Sequence, residues 1–259
     1  MGQELKKTGV QVQSVARALE IINCLKETPE MGISEISAAM DLNKSTVFGL
    51  VNTLTSYGYL EQIESTKKYR LGISLFELGN TVLSRIDIRT KAKEICYPLA
   101  EKYRATIHIA THSDGQVVYI DKIDRGDSLI SASKVGKRAN MYCCGVGKAM
   151  MAFLPKEYLD KYVFSVPLVP LTPNTIIEKD ALLKELEEVR KTRIAMDREE
   201  IEPGLSCIAS PVLQRDGHPE IAVSLSFPYG RIKDIPEDEA KADLLECTRK
   251  LSEHLGYRQ

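Results

Sequence analysis

Three short apolar stripes at helical spacing, followed at once by a small alternating hairpin, fill residues 12–71 and leave few folds open to that stretch. In the first stripe Val15, Leu19, Ile22 and Leu25 recur at helical intervals from Val12 to Leu25, and Pro29 stops the run. The second helix is expected over Ser34–Met40, with Ser34 as its cap and Ile36 and Met40 facing inward, and Asp41-Leu42-Asn43 breaks it. The third starts near Lys44 behind Asn43, a good N-cap residue, and sets Val47, Leu50, Val51 and Leu54 on one side. Tyr59–Ile63 then alternates as a strand, Glu64–Lys67 turns, and Lys68–Leu71 returns. Helix, helix, helix and hairpin, in that order, predict a winged helix-turn-helix over residues 12–71.

Beyond it, residues 72–91 read as a linker helix whose apolar face (Leu75, Leu78, Val82, Ile86) suits pairing with a second copy of the chain. The remainder, residues 92–259, changes pattern. A helix over Ala92–Tyr103 leads to two alternating runs, residues 106–112 and 116–123, joined by Asp114-Gly115, a good hairpin turn. A strand is expected at Leu129–Ser133, helices at 146–162 and 178–192, and strands at Cys207–Leu213 and Glu220–Phe227 around Asp216-Gly217. A last helix covers 237–255. Strands paired through tight turns and helices outside them make this an α+β domain on an antiparallel sheet.

Composition narrows the function classes. The 259 residues suffice for two domains, each with its own core. No apolar run approaches the ~18 residues of a membrane helix, and the first twenty residues lack the apolar centre of a signal peptide, so a cytoplasmic protein with no membrane partner is expected. The six cysteines show no CxxC spacing and read as reduced thiols rather than a disulfide or zinc framework. Net charge is −1, and residues 1–74 hold eight Lys/Arg against eight Asp/Glu. A nucleic-acid partner therefore has to be argued from where charge sits, not from how much there is.

That local argument centres on the third helix. With Val47 turned to the core, Ser45, Phe48, Gly49 and Asn52 point the other way, Lys44 and Thr46 lie at its N-terminal turn, and no acidic residue shares the face. Short hydrogen-bonding side chains, an apolar group for a thymine methyl and a positive helix start are what a major-groove reader needs. Lys67, Lys68 and Arg70 in the hairpin suit phosphate contacts. The plain alternative is a solvated helix face beside a basic turn.

Several phrases carry a resemblance: SVARALEIINCL, GISEISAAMDLNKSTVFGLVNTLTSYGYLEQ and KYRLGISLFELG, then GVGKAMMAFLP, LTPNTI, MDREEIEPGLSCIASPV and IAVSLSFP. In this collinear order over roughly residues 12–256 the chain resembles the IclR family of transcription regulators. The resemblance implies a winged-helix domain for double-stranded operator DNA, a linker helix, and a GAF/PAS-like domain that binds a small-molecule effector, in homodimers or tetramers. It also shows departures. Gly49 stands where family recognition helices usually carry Arg, Tyr142 and Cys144 replace His and Thr, and Arg193-Ile194 replaces Gly-Tyr.

Carried over by position, the resemblance places the effector against Gly145, Val146, Asp197, Cys207, Ser224 and Ser226, with Met141, Tyr142, Cys144 and Met196 completing the lining. The chemistry agrees in part: Ser224 and Ser226 are two apart on a strand and so share a face, and a helix opening at Gly145 offers free N–H groups to a carboxylate. A small organic acid, aliphatic or with one aromatic ring, is the expected effector, and no cofactor is expected. GVGKA is not a phosphate loop, because Tyr142 and Ala149 stand where that motif needs Gly and Ser or Thr. Two rival readings remain: a redox- or metal-sensing regulator working through Cys143, Cys144 and Cys207, with His108 or His112 as a further member, and an enzyme with Cys207 as nucleophile beside Asp197 and a histidine.

Overall fold

Residues 12–71 form the expected elements in the expected order: α1 (Gln13–Glu27), α2 (Ile33–Met40), α3 (Lys44–Ser56), β1 (Leu60–Gln62) and β2 (Tyr69–Leu71), followed by α4 (Ile73–Ser84). The structure is a computed structural model that describes residues 11–84, 88–124, 134–228 and 230–258, without the side chains of residues 80 and 82–84. The chain divides into two compact units, Met1–Arg85 and Ile86–Gln259.

The core of the first unit is Ile21, Leu25, Ile36, Val47, Val51 and Leu60, with Met31 and Tyr69 at its edge. Asn43 caps α3 as expected, its Oδ1 accepting the Thr46 N–H at 2.8 Å. Two expectations are corrected. Ser34 lies inside α2; the helix starts after Gly32, whose N–H donates to Glu35 Oε2 at 2.6 Å. The N-terminal part of the α1 stripe does not reach the core either: Val15 and Leu19 are each 56% exposed, because the core of this unit begins only at Ile21. In α4, described over Ile73–Ser84, Ile73, Phe76 and Leu78 are exposed, and of the expected apolar face Ile86 and the Val82 side chain lie outside the described residues.

The second unit runs α5 (Ile88–Tyr103), β3 (Thr106–Ser113), β4 (Gln116–Ile123), β5 (Arg138–Asn140), a 3₁₀ turn at Met141–Cys143, α6 (Gly145–Met151), α7 (Lys156–Tyr162), α8 (Lys179–Thr192), β6 (Ala195–Arg198), β7 (Leu205–Leu213), β8 (Pro219–Pro228), a 3₁₀ turn at Arg231–Asp234 and α9 (Glu237–His254). The strands form one sheet in the order β5-β4-β3-β8-β7-β6, with every pairing antiparallel, which makes the unit α+β. Asp114 and Gly115 both take positive φ, 52° and 76°, as a tight two-residue hairpin turn requires. The helix expected over 146–162 is two helices, α6 and α7, parted at Pro155, which cannot donate to the ladder. The strand expected at Leu129–Ser133 lies outside the described residues.

The two faces of this sheet differ. On one, Ile107, Ile109, Ile208, Val223 and Leu225 are fully buried, and Ser210 Oγ meets Thr248 Oγ1 of α9 at 2.8 Å. The other face meets α6. A Cβ placed on Gly145 would lie 3.1 Å from Ala209 Cβ and 3.2 Å from Cys207 Sγ, so the start of α6 rests directly on β7.

Candidate DNA-reading and effector sites

In the first unit, α3 presents Lys44, Ser45, Phe48, Gly49 and Asn52 to solvent, with Thr46 half-buried by its cap bond. Phe48 is 57% exposed, unusual for an aromatic side chain in a domain with its own core. Ser45 Oγ donates to Asn43 Oδ1, leaving it beside the helix start. A Cβ on Gly49 meets nothing within 4 Å, so the position is open to a long side chain. The wing brings a finding the sequence did not disclose. Lys68 Nζ pairs with Glu35 Oε1 of α2 at 2.9 Å, and Arg70 pairs with Glu61, its partner in the β1–β2 register. Of the three wing cations expected to meet phosphate, two are thus held by exposed carboxylates, an attraction weak enough to be exchanged for a phosphate. Lys67, at the tip with φ 57°, is exposed, and its carbonyl accepts from Gln62 Nε2 at 3.0 Å.

In the second unit the sheet register gathers the expected effector residues. Asp197 pairs with Cys207, Cys207 with Ser226, and Ser226 with Thr106, a continuous row across β6, β7, β8 and β3. One step along, Ala209, Ser224, His108 and Lys122 form a second row across β7, β8, β3 and β4. Residues directly opposite in an antiparallel pair share a face, so both rows look toward the α6 side. A third row, Pro211, Ala222, Ala110 and Tyr119, is apolar apart from the tyrosine hydroxyl. Asp197, Cys207, Ser224 and Ser226 are all buried, as are Thr106 and His108.

Thr106 and Lys122 are residues that the sequence reading did not name, and His108, weighed there only as a partner of the cysteines, joins them. His108 Nδ1 lies 3.0 Å from Ser226 Oγ, and Ser224 Oγ lies 3.5 Å from the same oxygen. Burial first, then the positive charge of Lys122, pushes the His108 pKa down to about 3, so the ring is neutral near pH 7. Lys122 Nζ is paired with Asp124 at 3.0 Å, and Thr106 Oγ1 donates to the same carboxyl group at 3.1 Å. The period-two pattern of residues 106–112 already put Thr106 and His108 on one face; only the pairing of β3 with β8 showed which face.

Asp197 is fully buried. Its Oδ1 accepts the Glu200 N–H at 2.8 Å and its Oδ2 accepts the Cys207 thiol at 3.6 Å. Burial raises its pKa from 3.8 to about 7, with the Glu200 charge adding to the rise and the Glu200 N–H and Lys148 opposing it. Beneath it Lys148, also fully buried, pairs with Glu200 Oε1 at 2.6 Å and Glu185 at 3.4 Å. These pairs tie α6 to α8 and to the turn after β6.

The remaining residues fit less well. The start of the seven-residue α6 lies against sulfur, with Cys207 Sγ 3.2 Å from where a Cβ on Gly145 would sit, and the Gly145 and Gly147 N–H groups favour the thiolates of Cys207 and Cys144 without offsetting their burial. Val146 is buried against the core. Met141 is buried beneath α6, where a Cβ on Gly147 would come within 2.1 Å of its carbonyl oxygen. The Tyr142 hydroxyl donates to the Val169 carbonyl at 2.9 Å and accepts the Val169 N–H at 3.0 Å, so it braces a loop. Met196, next to Asp197 on a strand, points to the opposite face and lines a cavity of about 420 Å³ with Val189 and Leu245.

Cys143 and Cys144 donate to the Asn140 carbonyl at 3.3 and 3.5 Å. Burial pushes the Cys143 thiol up to about 12 and those of Cys144 and Cys207 well above the ordinary range. Thiols held protonated are poor nucleophiles and poor oxidant sensors. No cluster of three or more His, Cys, Asp or Glu side chains able to hold a metal occurs among the described residues.

Comparison with known proteins bears on both units. The family model for the IclR helix-turn-helix domain matches residues 14–64, and that for the bacterial transcriptional regulator IclR C-terminal region matches residues 80–253. The chain is 34% identical over 247 residues to the HTH-type transcriptional regulator XynR of Escherichia coli (strain K12), covering 95% of this chain and 98% of that protein. It is 33% identical over 261 residues to the DNA-binding transcriptional repressor YiaJ of the same organism, covering 99% and 92%. The crystal structure of the Thermotoga maritima IclR superposes with a TM-score of 0.77 at 30% identity, covering 95% of this chain and all of that one.

Proposed function

The chain belongs to the IclR family of bacterial transcription regulators, and from that premise we propose that it represses a catabolic operon and is controlled by a small organic-acid effector. The DNA-facing set is Lys44, Ser45, Thr46, Phe48, Gly49 and Asn52 on α3 with Lys67, Lys68 and Arg70 on the wing. Two recognition helices must meet half-sites about 34 Å apart on one DNA face, so the working form is at least a dimer. The exposed apolar residues of α1 and α4, Val15, Leu19, Phe76 and Leu78, are surfaces that pairing with a second copy would cover. No helix among the described residues is long and apolar enough to cross a membrane, and an operator target places the protein in the cytoplasm.

One observation carries the effector assignment: Asp197, Cys207 and Ser226 stand in a single register row beside the start of α6, with Ser224 one step away. These are buried polar side chains that bond one another and their neighbours (Asp197 with the Glu200 N–H and the Cys207 thiol, Ser226 with His108), a polar group on a face that turns apolar in the next row. Domain 92–259 is in this reading a binding module and not an enzyme. The raised pKa of the Cys207 thiol and its donation to Asp197 favour that over a nucleophile. The effector must bind one arrangement of the dimer better than another, since equal affinity for both shifts nothing.

The experiment is a thermal-shift screen of small carboxylates, followed by gel shifts on the operator with each hit. Replacing Ser224 and Ser226 together by Ala is expected to abolish the ligand response while the apo protein still binds operator. A double variant that responds normally to its ligand removes the pocket assignment. Hits confined to phosphate esters remove the carboxylate.

A further inference from the structure

Helices α5 and α9, the first and last of the second unit, pack together and run antiparallel. Lys102 Nζ reaches Glu239 at 2.6 Å and Asp243 at 2.7 Å, and the Tyr103 hydroxyl donates to Asp243 at 2.7 Å. Earlier on α5 and later on α9, the Cys247 thiol meets the Ile95 carbonyl at 3.6 Å. Each helix buries a stripe at helical spacing along this seam: Ala92, Cys96, Ala100 and Tyr103 on α5, and Ala240, Leu244, Cys247 and Leu251 on α9. The small side chains of Ala92, Ala100 and Ala240 let the two backbones approach. Between them the two sulfurs meet, the Cys96 thiol donating to Cys247. Cys96 has no exposed surface, and Cys247 keeps 6%.

We propose that Cys96 and Cys247 are a redox pair, which a peroxide converts to a disulfide joining α5 to α9 and a dithiol returns to two thiols. The pair differs from Cys143, Cys144 and Cys207, whose thiols burial holds protonated. The bond from Cys96 lowers the Cys247 pKa below the ordinary thiol value, with the charge of Lys250 helping and burial opposing. Cys96, the donor and the more deeply buried of the two, is pushed up. Cys247 is therefore the attacking sulfur and Cys96 the resolving one. In the first step the Cys247 thiolate attacks one oxygen of hydrogen peroxide. An S–O bond forms, the O–O bond breaks, and hydroxide leaves and takes up a proton as water, so that Cys247 becomes a sulfenic acid. In the second step Cys96 attacks the Cys247 sulfur. The S–S bond forms, the S–O bond breaks, and the departing hydroxide takes the Cys96 proton. Two thiols and one hydrogen peroxide thus give one disulfide and two waters. Ile95 and Cys247 stand 152 positions apart, so the new bond closes a loop of about 150 residues and restricts the unfolded chain strongly.

The test is treatment of the reduced full-length protein with hydrogen peroxide, then alkylation with iodoacetamide in denaturant and non-reducing peptide mapping by mass spectrometry. The Cys96 and Cys247 peptides are expected to appear joined, with Cys143, Cys144 and Cys207 alkylated, and dithiothreitol should separate the pair. Cys96→Ser should leave Cys247 as a sulfenic acid that dimedone traps, whereas Cys247→Ser should leave Cys96 alkylated after the same exposure. The oxidised wild type should melt roughly 10 °C above the reduced protein, a rise that both variants lose. Peroxide that leaves Cys247 unreacted overturns the proposal, as does Cys247 carried to sulfinic acid with no joined peptide. A bond formed instead among Cys143, Cys144 and Cys207 overturns it too. So does a Cys96–Cys247 bond that appears only when peroxide is added to the protein in urea, because the folded helices then do not present the pair. The mapping on wild type decides these outcomes even if a variant fails to fold.

Discussion

The two units of this chain place the residues proposed for DNA and for effector on opposite sides of the solvent boundary. On α3 and the wing, Lys44, Ser45, Gly49, Asn52, Lys67 and Arg70 are exposed, and the ion pairs they keep company with are exposed too. In the second unit Asp197, Cys207, Ser224, Ser226 and His108 are all buried, and Lys148 sits beneath them with no exposed surface. The difference decides what each group is worth. Water and salt screen the first set, so its contacts act nearly independently and each contributes little. The second set lies where charge is poorly screened, so removing one member leaves its neighbours uncompensated.

The hardest trial of that contrast is Lys148→Met. It strands Glu200 beside Asp197, and we expect about 3–5 kcal/mol of stability to be lost in urea unfolding followed by circular dichroism. A loss within about 0.5 kcal/mol, the size of a surface substitution, would erase the contrast. Next comes pH. Because the folded Asp197 pKa is raised from 3.8 to about 7, the native state holds a proton that the unfolded chain has released between those values. Its contribution is therefore full below about pH 4 and is lost as pH rises through about 7, a change of a few kcal/mol. Asp197→Asn should flatten that part of the stability curve, and the same variant should remove a fall in affinity for a carboxylate effector above pH 7. Equal slopes in the wild type and the Asn variant would show that the buried carboxyl does not titrate there.

Smaller effects belong to the exposed unit. Asn52→Ala should cost roughly 1–3 kcal/mol of discrimination between operator and random DNA, whereas Lys67→Ala should weaken both alike and lower the salt slope by about 1. Gel shifts across a salt series separate the two, and a uniform loss for Asn52→Ala would move it from base reading to phosphate contact. The smallest change expected in the folded protein is Gly49→Arg. The open space at Gly49 admits the side chain, and replacing a mid-helix glycine gains up to about 1 kcal/mol of helix stability. Tighter operator binding would then show that the groove face of α3 is short of one cation; unchanged binding would place Gly49 away from DNA.

Local chemistry was enough for the first unit. Its helices, the Asn43 cap and the hairpin follow from spacing, capping residues and turn residues within a few positions of one another, and the outward face of α3 is simply the complement of Val47, Val51 and Leu54. The α+β class and the two hairpin turns of the second unit were legible for the same reason, as was the pairing of Ser224 with Ser226 on one face. The long-range contacts were not. Lys68 with Glu35, His108 with Ser226, and Lys148 with Glu200 join residues 33, 118 and 52 positions apart, and no periodicity carries information over such distances. Nor could a strand pattern tell which face would meet α6, which is why Met196 was grouped with Asp197 although neighbours on a strand point apart. The sequence by itself determined the order of elements in the first unit and the exposed face of α3, because both arise from local backbone preference and from what a single helix buries; in the second unit it missed β5 and β6 and joined α6 to α7. The register that sets Asp197, Cys207, Ser226 and Thr106 in one row, and the burial that holds Asp197 near pH 7, were decided only by the tertiary structure, since both depend on which distant strands pair and what then shuts out water.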